Sequence, residues 1–148
     1  MKSIKCFFIG HRDTPKTIYP ELIKEIENHI VFFGVNEFIV GHYGSFDLMA
    51  GRAVFELKAK YPAVKLVMLL PYLPVENRVQ IPDYFDDSLY PNNMEKVPKK
   101  YAIIRANRYA VDISDYLIAY VSHPGSSARD ILEYASKRKH TTNIYTEK

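Results

Sequence analysis

Nearly unbroken apolar runs alternate along this chain with stretches in which apolar residues recur at every third or fourth position. An unbroken run is typical of a strand that helices cover on both faces, and the wider spacing is typical of an amphipathic helix. The apolar runs lie at residues 4–9, 38–40, 64–70 and 116–121. The helical stretches lie at residues 19–33, 46–57, 101–111 and 128–135. The pattern therefore predicts alternating strands and helices.

Turn-forming residues indicate where these elements begin and end. Thr14 followed by Pro15 predicts a helix N-cap with proline at the first helical position, and Gly34 predicts the end of that helix. Pro62 ends the second helix. The segment Asn143-Ile144-Tyr145 follows the last helix and is the candidate for a fifth strand.

This alternation predicts an α/β fold, because each right-handed crossover returns the chain to the same end of a parallel sheet. We predict a Rossmann-like three-layer sandwich with a mostly parallel sheet of five strands, in the order 3-2-1-4-5, and helices on both faces. In that order the chain reverses direction between the first and fourth strands, and ligands bind at the carboxyl ends of the strands there. The loops that begin at Gly10 and Ser122 are therefore expected to line a site.

Residues 72–98 interrupt the pattern with prolines, tyrosines and an acidic cluster. A connection of this length is usually functional or mobile, so we expect a long loop or a lid. Its tyrosines suit stacking on a base and equally suit packing against the core.

Composition narrows the function classes. With 148 residues and 47% hydrophobic residues, the chain suits a single domain over residues 1–148. The net charge of +3 comes from scattered lysines and arginines, so no nucleic-acid partner is expected. Cys6 is the lone cysteine and rules out a disulfide within the chain. With no signal sequence and no apolar stretch of about 20 residues, the expectation is a cytoplasmic protein with no membrane partner.

The turn after the first strand reads Gly10-His11-Arg12. Glycine permits a tight turn there, and arginine offers a forked donor for phosphate, so all three residues are candidates for ligand binding. A turn glycine followed by two solvated polar residues is the alternative.

The second candidate turn is Gly41-His42-Tyr43-Gly44-Ser45-Phe46-Asp47, which leads into a helix with Ser45 as its expected cap. Gly41, Gly44 and Ser45 are candidate phosphate contacts, and Asp47 is a candidate acceptor for a ribose hydroxyl. An ordinary capped helix explains the same residues.

The third turn, residues 122–128, is the best candidate for a phosphate cradle. Its glycine and serines let a phosphate approach the backbone, and this predicts contacts from Gly125, Ser126, Ser127 and Ala128. His123 beside them suits a surface histidine better than a catalyst.

Arg105 and Arg108 are three residues apart and would share one face of a helix, where two positive forks could meet a ligand; Asn107 would point elsewhere. A solvated basic face that pairs with Asp112 is the alternative. No histidine or cysteine pair has metal-ligand spacing, and neither a Walker A motif nor a G-x-G-x-x-G fingerprint is present, so we expect no metal and no cofactor.

Several of these stretches together resemble the SLOG superfamily, a Rossmann-like group that includes DprA and the lonely-guy phosphoribohydrolases, and most closely its small bacterial branch. The matching pieces are FFIGHRD, FIVGHYGSFDLMAGRAVFELKAKYP, KLVMLLPY and RANRYAVDISDYLIAYVSHPGSSARDILEYA. They cover most of the chain outside residues 72–98. The resemblance implies a nucleotide-binding fold and, since relatives often pair, a homodimer.

The resemblance also implies two catalytic positions. Arg108 falls where the lonely-guy enzymes have an arginine, and Glu133 is the glutamate nearest to the one in their PGGxGTxxE motif. Here Ser126-Ser127-Ala128-Arg129 follows Pro124-Gly125, and Glu133 is one position out of register. Hydrolysis of an N-glycosidic bond needs a carboxylate near the anomeric carbon, and Asp47 and Asp130 are the other carboxylates that could serve. Glu133 could equally pair with Lys137 on a helix surface.

Three functions follow from these observations. The first is binding of a nucleotide or nucleotide-derived ligand without turnover, which the altered glutamate motif leaves intact. The second is hydrolysis of nucleoside 5′-monophosphates by Arg108 and a rearranged carboxylate. The third, association with single-stranded DNA as in DprA, has the least support because the sequence has no clustered lysine and arginine stripe.

Overall fold

The computed structural model describes residues 3–42, 44–73 and 80–145. The strands in these ranges are β1 (Lys5–Gly10), β2 (Glu37–Val40), β3 (Lys65–Leu69), β4 (Asp87–Leu89), β5 (Tyr116–Tyr120) and β6 (His140–Asn143). The helices are α1 (Tyr19–Phe33), α2 (Gly44–Lys58), α3 (Lys99–Ile113) and α4 (Ser127–Ser136), with short 3-10 helices at Lys16–Ile18 and Met94–Lys96.

The six strands form one sheet in the order β4-β3-β2-β1-β5-β6, and all the pairs they form are parallel. The α/β, Rossmann-like prediction is therefore confirmed. The five predicted strands appear as β1, β2, β3, β5 and β6 in the predicted relative order. The predicted count of five is corrected by β4, which adds a sixth strand at the edge.

Alternation along the strands divides the core into two layers. Cys6 and Phe8 face one side of β1 and pack in a cluster that includes buried residues of α1 and α2. Phe7 and Ile9 face the other side and pack with buried residues of α3 and α4. Since side chains alternate across a strand, both faces of this central strand are covered, which explains its unbroken apolar sequence.

The start of α1 differs from the prediction. Thr14 does not cap the helix, because its hydroxyl accepts a hydrogen bond from the His11 amide at 3.1 Å and donates one to the His11 carbonyl at 2.8 Å. The chain then forms the 3-10 turn Lys16–Ile18, and α1 begins at Tyr19. Gly34 does end the helix, with a left-handed φ of 71°.

The segment expected to be a long loop contains regular structure. β4 pairs with β3, and Met94–Lys96 forms a 3-10 turn before α3. Residues 74–79 of this segment lie outside the described residues, and its role as a lid stays a prediction. The last strand also begins earlier than expected, at His140 rather than Asn143.

Candidate functional site

A cavity of about 440 Å³ opens where the central strands end. Its floor includes the end of β1, and its walls come from the turns after β1, β2 and β3 and from α3 and α4. Apolar residues such as Leu69, Ile103 and Ile131 line it together with a set of polar residues, namely His11, Arg12, Asp47, Lys100, Asn107, Ser126 and Ser127. This volume and mixed lining are typical of a small-molecule site.

His11 joins the turn after β1 to the turn after β5. Its Nε2 accepts hydrogen bonds from the amides of Ser122 at 3.0 Å and His123 at 3.3 Å. A nitrogen that accepts from amides carries no hydrogen, so the ring proton lies on Nδ1 and the imidazole is neutral. Burial, followed by the nearby His123 ring, lowers the pKa of His11. His11 therefore lines the cavity and also fixes the two turns relative to each other.

The first amides of α2 already donate hydrogen bonds to other parts of the chain. The amides of Ser45 and Phe46 donate to the carbonyls of Arg12 and His11, at 2.9 and 3.4 Å. The Ser45 hydroxyl donates to the Thr14 carbonyl at 2.7 Å, so Ser45 does not cap the helix as the sequence predicted. These contacts bind the first helical turn to the loop before α1, and the cavity lining includes neither Gly44 nor Ser45.

Two glycines allow this close packing. A Cβ at Gly10 would lie 2.2 Å from Cγ of the buried Phe46, and one at Gly44 would lie 2.3 Å from the Arg12 Cα. Gly44 also has a φ of +89°, which other residues rarely adopt. The structure thus explains both glycines through packing; the Gly10 backbone also lines the cavity.

Asp47 lies in the first turn of α2 and reaches the cavity beside Gly41. A Cβ at Gly41 would lie 2.8 Å from the Asp47 Oδ2 atom, so glycine makes room for the carboxylate. Both residues line the cavity, and this position is the one that the Asp47 carboxylate needs to accept a hydrogen bond from a ligand hydroxyl.

The start of α4 is arranged differently from that of α2. Ser126 caps the helix, and its Oγ accepts from the Arg129 amide at 3.1 Å and donates to the His123 carbonyl at 2.8 Å. Among the described residues, the amides of Ser127 and Ala128 donate no hydrogen bond. Both residues line the cavity, so this helix start presents two backbone donors and the positive end of its dipole.

Two predicted positions near these donors do not line the cavity. Gly125 has a φ of +76° and no atom within 4 Å of an added Cβ, so it shapes the turn rather than the cavity wall. Glu133 is exposed on α4.

One face of α3 contributes Lys100, Ile103 and Asn107 to the cavity. Arg105 and Arg108 belong to the neighbouring face and lie outside it. The Arg108 guanidinium carbon lies 5.3 Å from the centre of the Tyr134 ring, a cation-π distance. Arg105 and Arg108 thus share a face, as their spacing predicted, and Asn107 points elsewhere, on the face that lines the cavity.

The cavity brings together eight of the residues predicted to contact a ligand, namely Gly10, His11, Arg12, Gly41, Asp47, Ser126, Ser127 and Ala128. It leaves out the other candidates, namely Gly44, Ser45, Arg105, Arg108, Gly125 and Glu133. Sequence reasoning did not name Lys100 or Asn107 as ligand contacts. Ala102, Ala106 and Ala110 are buried at intervals of four, and this small-residue face would have indicated which side of α3 meets the sheet.

The described lining carries more positive than negative charge. Arg12 and Lys100 are cationic, Asp47 is the one carboxylate among the described lining residues, and the two amides of α4 add donors. Among the residues that the structure describes, no group of three or more histidines, cysteines and acids could hold a metal ion.

The described helices include none that is long and apolar enough to cross a membrane.

No protein-family profile and no curated protein matches the chain. Its structure is similar to that of the Moco carrier protein from Chlamydomonas reinhardtii, with a TM-score of 0.53 and 14% sequence identity. The similarity covers 95% of this chain and 75% of that chain. At this identity the likeness concerns the fold, which is Rossmann-like over nearly all of the chain.

Proposed function

We propose that this protein binds a small phosphate-bearing ligand, of nucleotide or nucleotide-derived type, in the cavity at the carboxyl ends of its strands. The observation that carries the proposal is the start of α4, where Ser127 and Ala128 line the same cavity as Arg12 and Lys100 and their amides donate no hydrogen bond to the described residues. Backbone donors and the helix dipole suit a phosphate, and the two cations add to the attraction.

The remainder of the cavity suits the other parts of such a ligand. Ile9, Ile103 and Ile131 offer an apolar surface for a base or another planar group. Asp47 and Asn107 offer acceptors and donors for ribose hydroxyls.

Two likenesses support the proposal. The sequence resembles the SLOG superfamily, whose members bind nucleotides, and the structural neighbour is named as a carrier of Moco. Homodimer formation and a cytoplasmic location, expected from the sequence, stay predictions that belong to this proposal.

The proposal stops at binding. Arg108 and Glu133, the candidates for N-glycosidic hydrolysis, lie outside the cavity, and Asp47 is the carboxylate that lines it. Hydrolysis therefore has fewer candidate residues in place than binding has.

A thermal-shift panel tests the ligand class. It compares AMP, ADP, ribose 5-phosphate and inorganic phosphate with adenosine, which has no phosphate. A ligand at 100 times its Kd stabilises the folded state by about 2.7 kcal/mol, so we expect the phosphate-bearing compounds to raise Tm and adenosine to have a smaller effect. Equal effects of AMP and adenosine would contradict a phosphate site.

Ser127 permits a sharper test of the backbone donors. It is the first residue of α4, where proline is well tolerated, and Ser126 has the extended ψ of 162° that a following proline favours. Ser127→Pro removes one amide donor, and Ser127→Ala removes only the hydroxyl. Because a hydrogen bond to a charged group contributes about 1.5–3 kcal/mol, we expect Ser127→Pro to weaken AMP binding roughly tenfold or more. Ser127→Ala should bind nearly as the parent does; equal affinity of both variants would exclude the amide contact.

A further inference from the structure

A groove of about 420 Å³ lies along α3, on the helix face next to the one that lines the cavity. It is lined by residues from the segment before the helix and from its first turns, namely Asn93, Lys96, Val97, Pro98, Tyr101, Ile104, Arg105 and Arg108. The groove and the cavity share Ile104 and no other lining residue.

Helical geometry explains why the two are separate. Lys100, Ile103 and Asn107 line the cavity, and Tyr101, Arg105 and Arg108 line the groove. Each set follows the three-and-four spacing of one helix face. Tyr101 and Arg108 each follow a cavity residue by one position, which corresponds to a rotation of about 100° around the helix axis. Ile104 therefore forms a ridge between two adjacent binding surfaces.

Among the described residues that line it, the groove carries three cations and no carboxylate, since the charged ones are Lys96, Arg105 and Arg108. The ion pairs formed by the described residues include none of these three side chains. The nearest candidate acid on α3 is Asp112, and it accepts a hydrogen bond from the Tyr134 hydroxyl at 2.8 Å. The positive charge of the groove is thus not neutralised by ion pairs within the described structure.

The start of α3 strengthens this charge. Lys99 and Lys100 occupy its first turn, where no acidic residue is present. Cations at a helix N-terminus oppose the helix dipole. Here the Lys99 ammonium lies 5.6 Å from the centre of the Tyr72 ring and that of Lys100 lies 5.0 Å from the centre of the Tyr101 ring, both cation-π distances. Lys96, immediately before the helix, adds to the same field.

We propose that this groove is a second anion-binding site, which takes a small oligophosphate. Arg105 and Arg108, one helical turn apart, each offer a planar fork of donors to phosphate oxygens, and Lys96 adds a point charge. A groove with one aromatic residue, Tyr101, lacks the row of stacking rings that single-stranded nucleic acid uses, so the small ligand is favoured. The charged residues that line the groove differ from those that line the cavity, so each site can be disabled by a substitution that leaves the lining of the other intact.

The test uses the full chain and inorganic tripolyphosphate, with affinity measured by titration calorimetry at low salt and location measured by NMR shifts of backbone amides. We expect the largest shifts at groove residues that do not line the cavity, namely Lys96, Val97, Tyr101, Arg105 and Arg108. We also expect an affinity that falls as salt is added, and roughly tenfold or greater weakening in Arg105→Ala. Arg105→Lys keeps the charge without the fork and should recover part of the affinity. The control is Arg52→Ala, which removes an exposed arginine from α2 and should leave binding unchanged.

Three results would overturn the groove site. The first is equal affinity of Arg105→Ala and Arg52→Ala when both have the thermal midpoint of the parent. The second is a set of NMR shifts confined to the cavity residues. The third is binding of a single-stranded oligonucleotide without binding of tripolyphosphate, which would indicate a nucleic-acid surface instead. Ser127→Pro separates the two proposals, because it changes the cavity and leaves the groove lining intact. If this variant loses AMP binding and keeps tripolyphosphate binding, the loss concerns the cavity alone.

Discussion

Gly10 illustrates how little space separates the turn after β1 from α2. Its backbone lies against the ring of the fully buried Phe46, whose Cγ would be 2.2 Å from an added Cβ. No real Cβ tolerates such a distance, so either the ring or the turn would have to move. The glycine is therefore required by packing, in addition to any contact with a ligand.

We expect Gly10→Ala to lower the free energy of unfolding by about 1–3 kcal/mol, the usual cost of overpacking a core. Urea unfolding measures this change. In a Phe46→Leu background the added methyl has more room, so the same substitution should cost less, and this coupling identifies the contact. A full, unchanged cost in both backgrounds would show that the strain comes from somewhere other than the Phe46 ring.

Single residues also mark the limit of what the sequence predicts about the site. Gly10, His11 and Ser127 were predictable because each follows or precedes an element whose end belongs at the switch point of the sheet. Arg105 and Arg108 were placed by their spacing, which shows that they share a face but not which face meets the cavity. Lys100 and Asn107 occupy the face beside the buried alanines of α3, and only packing against the sheet decides this.

Among the secondary-structure elements, β4 is joined to its neighbours by the residue just before it, Asp86. The Asp86 amide donates to the Leu66 carbonyl at 2.8 Å, and the Asp86 carboxylate accepts from the Leu66 amide at 2.7 Å and from Lys58. Burial alone would raise the pKa of Asp86, but the hydrogen bonds from Lys58 and from the Leu66 amide outweigh it, so this pKa is lowered. Asp86 thus joins the edge strand to β3 and to the end of α2.

Asp86→Ala should lower the free energy of unfolding by about 1–3 kcal/mol, because it leaves the amide of the buried Leu66 without an acceptor. Asp86→Asn keeps an oxygen for that amide and loses only the charge that meets Lys58, so it should cost less. Hydrogen exchange adds a local measurement, and we expect the Leu66 amide to lose protection in Asp86→Ala. Equal stability of the two variants would show that the amide contact contributes little.

The pattern of apolar residues in the sequence did not predict this edge strand. β4 has three residues, and Asp87 and Ser88 are exposed, so the segment lacks the apolar run that revealed β1, β3 and β5. An edge strand buries few side chains, and its pairing depends on backbone contacts that leave no hydrophobic signature. The central strands were predictable because both of their faces are buried.

Across the described part of the molecule, the pKa of three histidines is lowered from its ordinary value. They are His11 at the cavity, His29 within α1 and His42 after β2. Burial is the largest cause of the lowered pKa of each; contacts with the carbonyls of Glu25 and Leu69 oppose it at His29 and His42. Protonation of His11 at Nε2 would also break its hydrogen bonds from Ser122 and His123. All three sites therefore resist acid in the folded state.

We expect the free energy of unfolding to fall as the pH is lowered from 7 towards 5. Below the ordinary pKa of 6.5 the unfolded chain takes up protons that the folded chain does not, so acid favours unfolding until the lower folded pKa values are reached. Each histidine contributes a slope of at most about 1.4 kcal/mol per pH unit. Urea unfolding at pH 7, 6 and 5 measures the effect. His11→Asn keeps an acceptor but does not titrate, so it should reduce the slope of the free energy of unfolding against pH by the contribution of one histidine. A stability that stays constant from pH 7 to pH 5 would show that these imidazoles protonate as readily in the folded chain as in the unfolded one.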